Sequence, residues 1–224
     1  SAQTIKQKEI EQNLRYEMLR AQINPHFLFN TLNVIKWSSM ISGAGNIADM
    51  ITSLGILLES TMNRREEEVP LKEEIRVVKA WVEIKNWGLK NRIELVTDIQ
   101  QELEEFKVIK FFLQPLVENA IFHGLKPKAA NCLLQITGRC GEDCVDLYIR
   151  DNGVGFDPGQ TAPKTSPIST GIGLSNVNER IQLYFGKHYG AYITSVPGTG
   201  TEVHIHLPKL KEEEDCKPYE DSDR

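Results

Sequence analysis

Asp151-Asn152-Gly153-Val154-Gly155-Phe156, followed after a loose interval by Gly171-Ile172-Gly173-Leu174-Ser175-Asn176-Val177, decides how the rest of the chain is read. Just upstream, Val145, Leu147 and Ile149 alternate with Asp146, Tyr148 and Arg150, the period-two pattern of a half-buried strand. Asp151 therefore closes a strand with a carboxylate, beside Gly153 and Gly155, which let a backbone approach a flat ligand closely. A carboxylate so placed accepts a hydrogen bond from an exocyclic amine such as that of adenine. Gly171 and Gly173 open a helix carried by Leu174, Val177, Ile181 and Tyr184 and stopped at Gly186. Free N–H groups and the helix dipole at such a start suit phosphate. Neither glycine pair fits the dinucleotide or P-loop signature. The interval between them holds three prolines, one glycine, two serines and three threonines over residues 157–170, which predicts a lid over the ligand.

A chain of 224 residues makes one large domain or two small ones, and 40% apolar with 25% charged residues is ordinary for a soluble protein. The 26 basic and 31 acidic side chains sum to −5, which argues against nucleic acid as a partner. The cysteines at 132, 140, 144 and 216 form no CxxC pair and no HExxH occurs, so free thiols in a reducing cytoplasm are expected and a zinc site is not. No run of about 18 apolar residues is present to span a membrane. Ser1-Ala2, without an initiator Met, reads as the start of a fragment of a longer protein.

Residues 1–24 carry one narrow apolar stripe, Ile10, Leu14, Met18 and Ala21, which predicts a lead-in helix of coiled-coil type. Asn24-Pro25-His26 restarts the helix, which then runs to Ile41 through Phe27, Leu28, Leu32, Val34, Ile35 and Trp37. After a turn at residues 43–46, a second helix presents Ile47, Met50, Ile51, Leu54, Leu58 and Thr61 on one face. Such a hairpin buries little alone, so pairing with a second copy into a four-helix bundle is expected. This domain is placed at 25–70. A helix with Leu71, Ile75, Val78 and Val82 inward follows, then a strand over Ile93–Asp98. A helix over 110–124 buries Leu113, Leu116, Val117, Ala120, Ile121 and Gly124, and puts Pro115, Asn119, Phe122 and His123 on another face. The hard amide oxygen of Asn119 suits Mg²⁺ beside phosphates. Strands are expected at 133–137, 191–196 and 201–207, the last with His204 and His206 outward as solvated residues. Residues 209–224, with seven acids and four bases, read as a disordered acidic tail.

In this order the segments resemble the LytS/YesM type of sensor histidine kinase over about 17–208. Gln22-Ile23-Asn24-Pro25-His26-Phe27-Leu28-Phe29-Asn30-Thr31-Leu32-Asn33 resembles that family's phosphoacceptor segment, and Gln114-Pro115-Leu116-Val117-Glu118-Asn119-Ala120 its N box. Residues 151–155, 171–173 and 198–201 resemble its three glycine boxes. The resemblance implies an α+β fold, in which a helical hairpin dimerisation domain precedes an α/β sandwich of GHKL (Bergerat) type at 71–208. It implies ATP and Mg²⁺ as cofactors, with Asn119, His123, Asp151, Gly153, Gly155, Gly171, Gly173, Leu174 and Thr201 at the nucleotide and Asn119 on the metal. His26 becomes the phosphoacceptor, with Asn30 and Glu118 as candidates to orient or deprotonate it. It further implies a homodimer, a response-regulator receiver domain as partner, and a parent protein anchored in the bacterial inner membrane with this portion in the cytoplasm. Phe122 stands where the family usually has Lys, with Lys126 or Lys128 as substitutes, and Asn86-Trp87-Gly88-Leu89-Lys90 departs from its usual loop. Two other readings are a nucleotide-binding dimeric module without transfer, and a GHKL ATPase, which needs no phosphoacceptor.

Overall fold

The computed structural model describes residues 25–62, 67–87, 92–126, 130–157 and 172–209. The lead-in helix, the lid beyond Asp157, residues 88–91, Lys128, Gly171 and the tail beyond Lys209 lie outside the described residues. The chain divides into two units, 1–62 and 63–224.

In the first unit, helix α1 (Pro25–Ile41) packs on helix α2 (Gly45–Met62). Gly43 makes the turn between them with φ 74°, a backbone that glycine adopts freely. The hairpin leaves much of its apolar surface uncovered: Val34, Trp37 and Ile41 are 67%, 62% and 87% exposed. In α2 the buried positions are Ala48 and Ser53, while Ile47 and Leu54 of the expected face stay exposed.

The second unit begins earlier than the sequence suggests. Strand β1 (Glu68–Pro70) pairs antiparallel with β3 (Lys107–Ile109), so the boundary expected near Pro70 falls instead between Met62 and Asn63. Helix α3 (Leu71–Asn86) follows directly and buries Leu71, Glu74, Ile75, Val78 and Val82. A five-stranded sheet has the order β2-β4-β5-β7-β6, from β2 (Ile93–Ile99), β4 (Cys132–Cys140), β5 (Cys144–Asp151), β6 (Gly190–Val196) and β7 (Gly200–Pro208). β2 runs parallel to β4 and every other pair is antiparallel. Alternation sends Leu134, Ile136, Leu147, Ile149, Ile205 and Leu207 to one face, all buried. Helices α3, α4 (Leu113–Asn119) and α5 (Ile172–Phe185) bring Val78, Leu116, Val117, Val177 and Ile181, also buried. Each such Leu or Ile contributes about 1.5–3 kcal/mol of transfer free energy, so this layer holds the unit together. The result is the expected two-layer α/β sandwich.

The expected helix over 110–124 differs in two ways. It starts at Leu113, because Lys107–Ile109 is drawn into β3 and Phe111 takes φ 60°. After Asn119 it widens into a π turn (Ala120–Leu125), closed by Lys126 N–H donating to Ile121 O at 2.8 Å. Pro115 sits in the first turn of α4, where a missing N–H costs nothing.

Candidate functional site

The N-terminal end of α4 is held from two other helices. The Glu74 carboxylate accepts from Phe111 N–H (2.8 Å), Phe112 N–H (3.1 Å) and Leu113 N–H (3.2 Å). These are orphan donors of a helix start, satisfied by a residue almost forty positions away in sequence. Burial pushes the Glu74 carboxyl above its ordinary pKa, against the pull of those amides. Arg180 of α5 donates to Lys110 O (2.7 Å) and Phe111 O (3.3 Å) on the same turn. A groove of about 520 Å³ lined by Glu67, Lys110, Phe111, Arg180 and Tyr184 lies at this end, apart from the predicted nucleotide residues.

Those residues gather at the other end. Asp151, 8% exposed, ends β5 opposite Thr201 of β7, and its Oδ1 accepts from Gly153 N–H at 2.9 Å. The π turn presses on this corner. A Cβ on Gly153 would stand 2.2 Å from the carbonyl carbon of Gly124, and a Cβ on Gly124 would stand 2.5 Å from Asp151 Oδ1. Val154 N–H donates to Gly124 O at 2.9 Å and locks the contact. Gly153 is thus required by protein packing. The 196–200 turn closes on this corner: Gly198 N–H donates to Val154 O at 2.7 Å, and a Cβ on Gly155 would stand 2.0 Å from Val196 O. Ser195 Oγ, which no sequence signal singled out, bonds Phe156 N–H (3.0 Å), Gly200 O (3.1 Å) and Thr201 Oγ1 (2.8 Å).

Asn119 is half-buried at the last position of α4, and His123 is exposed on the π turn. Glu118 is half-buried and accepts from Gln114 Nε2 at 2.9 Å, one helical turn back. Phe122 is 44% exposed, edge-on to Trp81 at 6.3 Å. Two ammonium groups flank it: Lys85 Nζ lies 5.3 Å and Lys126 Nζ 5.9 Å from its ring centre. Gly173 and Leu174 fall in the first turn of α5. His26 and Asn30 belong to α1 in the other unit, four residues apart along one helix. The structure thus brings Asp151, Gly153, Gly155 and Thr201 to one corner of the sandwich, and packs on it, through Gly124, the π turn that carries His123 and follows directly on Asn119. Glu74, Arg180 and Lys85 were missed. An acid at i+3 on the apolar stripe Leu71, Ile75, Val78 was the available sign of Glu74.

Residues 14–93 match the family described as histidine kinase, and residues 107–211 the family of histidine kinase-, DNA gyrase B- and HSP90-like ATPases. The chain is 35% identical to the sensor histidine kinase YesM of Bacillus subtilis over 92% of its own length and 35% of that protein's. It is 30% identical to the sensor histidine kinase BtsS of Escherichia coli K12, over 91% of this chain and 35% of that one. The sensor protein LytS of Bacillus anthracis is also 30% identical, over 93% and 36% respectively. The chain therefore spans about a third of the length of the curated relatives it matches. In fold it is similar to the histidine kinase domain of the blue-light activated kinase EL346 of Erythrobacter litoralis, with a TM-score of 0.51 at 16% identity, covering 84% of this chain and 86% of that one. The chain belongs to the sensor histidine kinases of the LytS/YesM type. Among the described residues no helix is long and apolar enough to cross a membrane.

Proposed function

We propose that this chain is the ATP-dependent transmitter of a two-component system, phosphorylating itself on His26 and passing the phosphoryl group to an Asp of a response-regulator receiver domain. The observation that carries this reading is that one chain holds both parts: a phosphoacceptor segment at the start of α1, and the Asn119–Asp151–Thr201 corner in a unit of ATPase type. A neutral imidazole nitrogen is nucleophilic near pH 7. It would form the N–P bond as the bond from phosphorus to the ADP oxygen breaks, and ADP departs.

The corner fits a nucleotide. Asp151 offers a carboxyl, largely buried, for the adenine amine, and Gly153 and Gly155 let the backbone beside it pack closely on Gly124 and Val196. Asn119 supplies a half-buried amide oxygen for Mg²⁺. The metal, when bound, would neutralise charge on the transferring phosphoryl group. Asp151 would orient the base, the first turn of α5 would offer N–H groups to phosphate, and His123, exposed on the π turn, would meet the same ligand.

A homodimer through residues 26–62 accords with Val34, Trp37, Met40 and Ile41, at least half exposed within one chain. The parent protein would be anchored in the inner membrane by segments outside this chain, with this portion in the cytoplasm. Labelled Mg-ATP tests the reading. Acid-labile, alkali-stable label on the protein, absent in His26→Gln with ATP affinity and dimerisation intact, is the expected outcome. Free phosphate alone would point to an ATPase, and binding without turnover to a non-catalytic module.

A further inference from the structure

The outer face of the sheet carries a cluster outside the nucleotide corner. β5 and β7 run antiparallel with Asp146 opposite His206 and Tyr148 opposite His204. Period-two alternation then sets Cys144 and Asp146 of one strand, and His204 and His206 of the other, on a single face. Asp146 Oδ1 stands 2.7 Å from His204 Nε2 and 2.8 Å from His206 Nδ1. Asp146 Oδ2 lies 3.7 Å from Cys144 Sγ. One ligand atom from each of Cys144, Asp146 and His206 lies within 4.8 Å of the others. The histidines expected to be solvated are therefore engaged, with side chains 31% and 33% exposed beside an Asp146 side chain 24% exposed.

We propose that Cys144, Asp146, His204 and His206 form a binding site for a borderline-soft divalent transition-metal ion, with Zn²⁺ the fitting example. The donor set is one thiol, one carboxylate and two imidazoles, the types that Zn²⁺ takes in tetrahedral geometry. Ligand bonds of about 2.0–2.3 Å put tetrahedral donors roughly 3.3–3.8 Å apart; the Cys144, Asp146 and His206 donors, within 4.8 Å of one another, approach that spacing, while His204, held 2.7 Å from Asp146 Oδ1 but outside that group, must turn toward it to supply the fourth donor. The rings are already oriented. Tyr148 stacks on His204 with centres 4.6 Å apart and planes 6° apart, and Tyr189 stacks on His206 at 5.6 Å. Stacking of this kind biases each ring toward its present orientation. The site is half open to solvent, so an ion reaches it without unfolding the sandwich. A CxxC search misses it, because the spacing is C-x-D on one strand and H-x-H on its neighbour. Mg²⁺, which prefers an octahedral oxygen shell, is a poor match, so the site is chemically separate from Asn119.

The test uses the purified chain, stripped with chelator and free of nucleotide, titrated with Co²⁺ alone. The expected result is an equimolar, saturable spectrum with tetrahedral d–d bands and a thiolate-to-cobalt charge-transfer band, displaced by Zn²⁺ and untouched by Mg²⁺. Cys144→Ser should remove the charge-transfer band. His204→Gln with His206→Gln should weaken Zn²⁺ by at least the roughly 10–100-fold that loss of an outer partner costs elsewhere. Asn119→Ala should leave the spectrum unchanged. Circular dichroism checks that each variant is folded, and Cys144→Ser, a near-isosteric change on a half-buried strand end, guards against collapse of the double variant. No saturable tetrahedral spectrum, or the same spectrum and affinity in Cys144→Ser and in the histidine variant, would overturn the proposal.

Discussion

The two ends of α4 are built on opposite rules. At Leu113 the amides of residues 111–113 are taken by a buried carboxylate, and the preceding carbonyls are taken by Arg180. At Asn119 the regular bonding gives way to a π turn with Phe122 and His123 exposed. π turns cost helix regularity and recur at functional sites. The difference teaches where this unit keeps its stability and where it keeps its chemistry. One end is a fixed pivot made of protein–protein hydrogen bonds. The other end presents Asn119 and His123, and is braced on the Asp151 strand end through Gly124, which packs on Gly153 and accepts from Val154 N–H.

If that division holds, damage at the two ends should have different signatures. Glu74→Ala strands three amide donors, two of them on buried residues, and each unsatisfied donor costs about 1–3 kcal/mol, partly offset by relief of the buried carboxylate. The net expected loss is about 2–4 kcal/mol in urea unfolding, with Glu74→Gln recovering part of it through its remaining oxygen. A loss below roughly 0.5 kcal/mol would mean that the turn finds other partners and is no pivot.

Asn119→Ala is the matching change at the open end. Unfolding free energy should stay within about 0.5–1 kcal/mol of the parent. Mg²⁺-dependent autophosphorylation should fall by roughly 100-fold, an effect of about 2.7 kcal/mol on the transition state. ATP affinity without Mg²⁺ should survive in calorimetry. Equal loss of stability and turnover would erase the contrast between the ends.

Gly124→Ala probes the brace between them. The added methyl meets Asp151 Oδ1 at 2.5 Å and Asp151 Cγ at 2.9 Å. Asp151 is buried and cannot swing out to solvent, so either the carboxylate or the π turn must shift. ATP affinity should weaken about 10-fold, or about 1.4 kcal/mol, with the helix content of the unit retained. Unchanged affinity would show that Asp151 does not have to stay where it is to hold the base.

Much of this was legible in the sequence, and the limits have physical causes. The strands of the sandwich showed because alternation is local, and the glycine boxes showed because tight backbone approach tolerates few other residues. Asn119 and Asp151 were proposed from such local patterns. Glu74 was not, because an acid on an apolar stripe declares only that it has a partner, and its partners are amides of residues 111–113. The π turn was invisible because Leu116, Val117, Ile121 and Gly124 satisfy a period of 3.6 whichever way the last turn closes. The β1–β3 pairing was missed because two three-residue strands have no periodicity to read. His204 and His206 looked solvated because Asp146 lies 58 and 60 positions away and meets them only through register.

The smallest effect concerns the substitution at Phe122. Where the family resemblance implies a Lys, this chain has an aromatic ring flanked by Lys85 and Lys126, with Lys85 Nζ also 5.0 Å from the Trp81 ring. A cation over an aromatic face gains about 0.5–1 kcal/mol at an exposed site. That is enough to bias where a flexible ammonium rests, and not enough to stop it turning to a phosphate. On this view the charge has been kept at the open end and only its covalent attachment has moved, with Phe122 acting as the rest. Lys85→Ala and Lys126→Ala should each raise KM for ATP by about 2–5-fold, equivalent to about 0.4–1 kcal/mol, and the double variant should exceed the larger single effect. Phe122→Lys should compensate for the loss of either. Single variants with unchanged KM, together with a Phe122→Lys that gains nothing, would show that phosphate charge at this end is met elsewhere, and the open end would then owe its function to Asn119 and His123 alone.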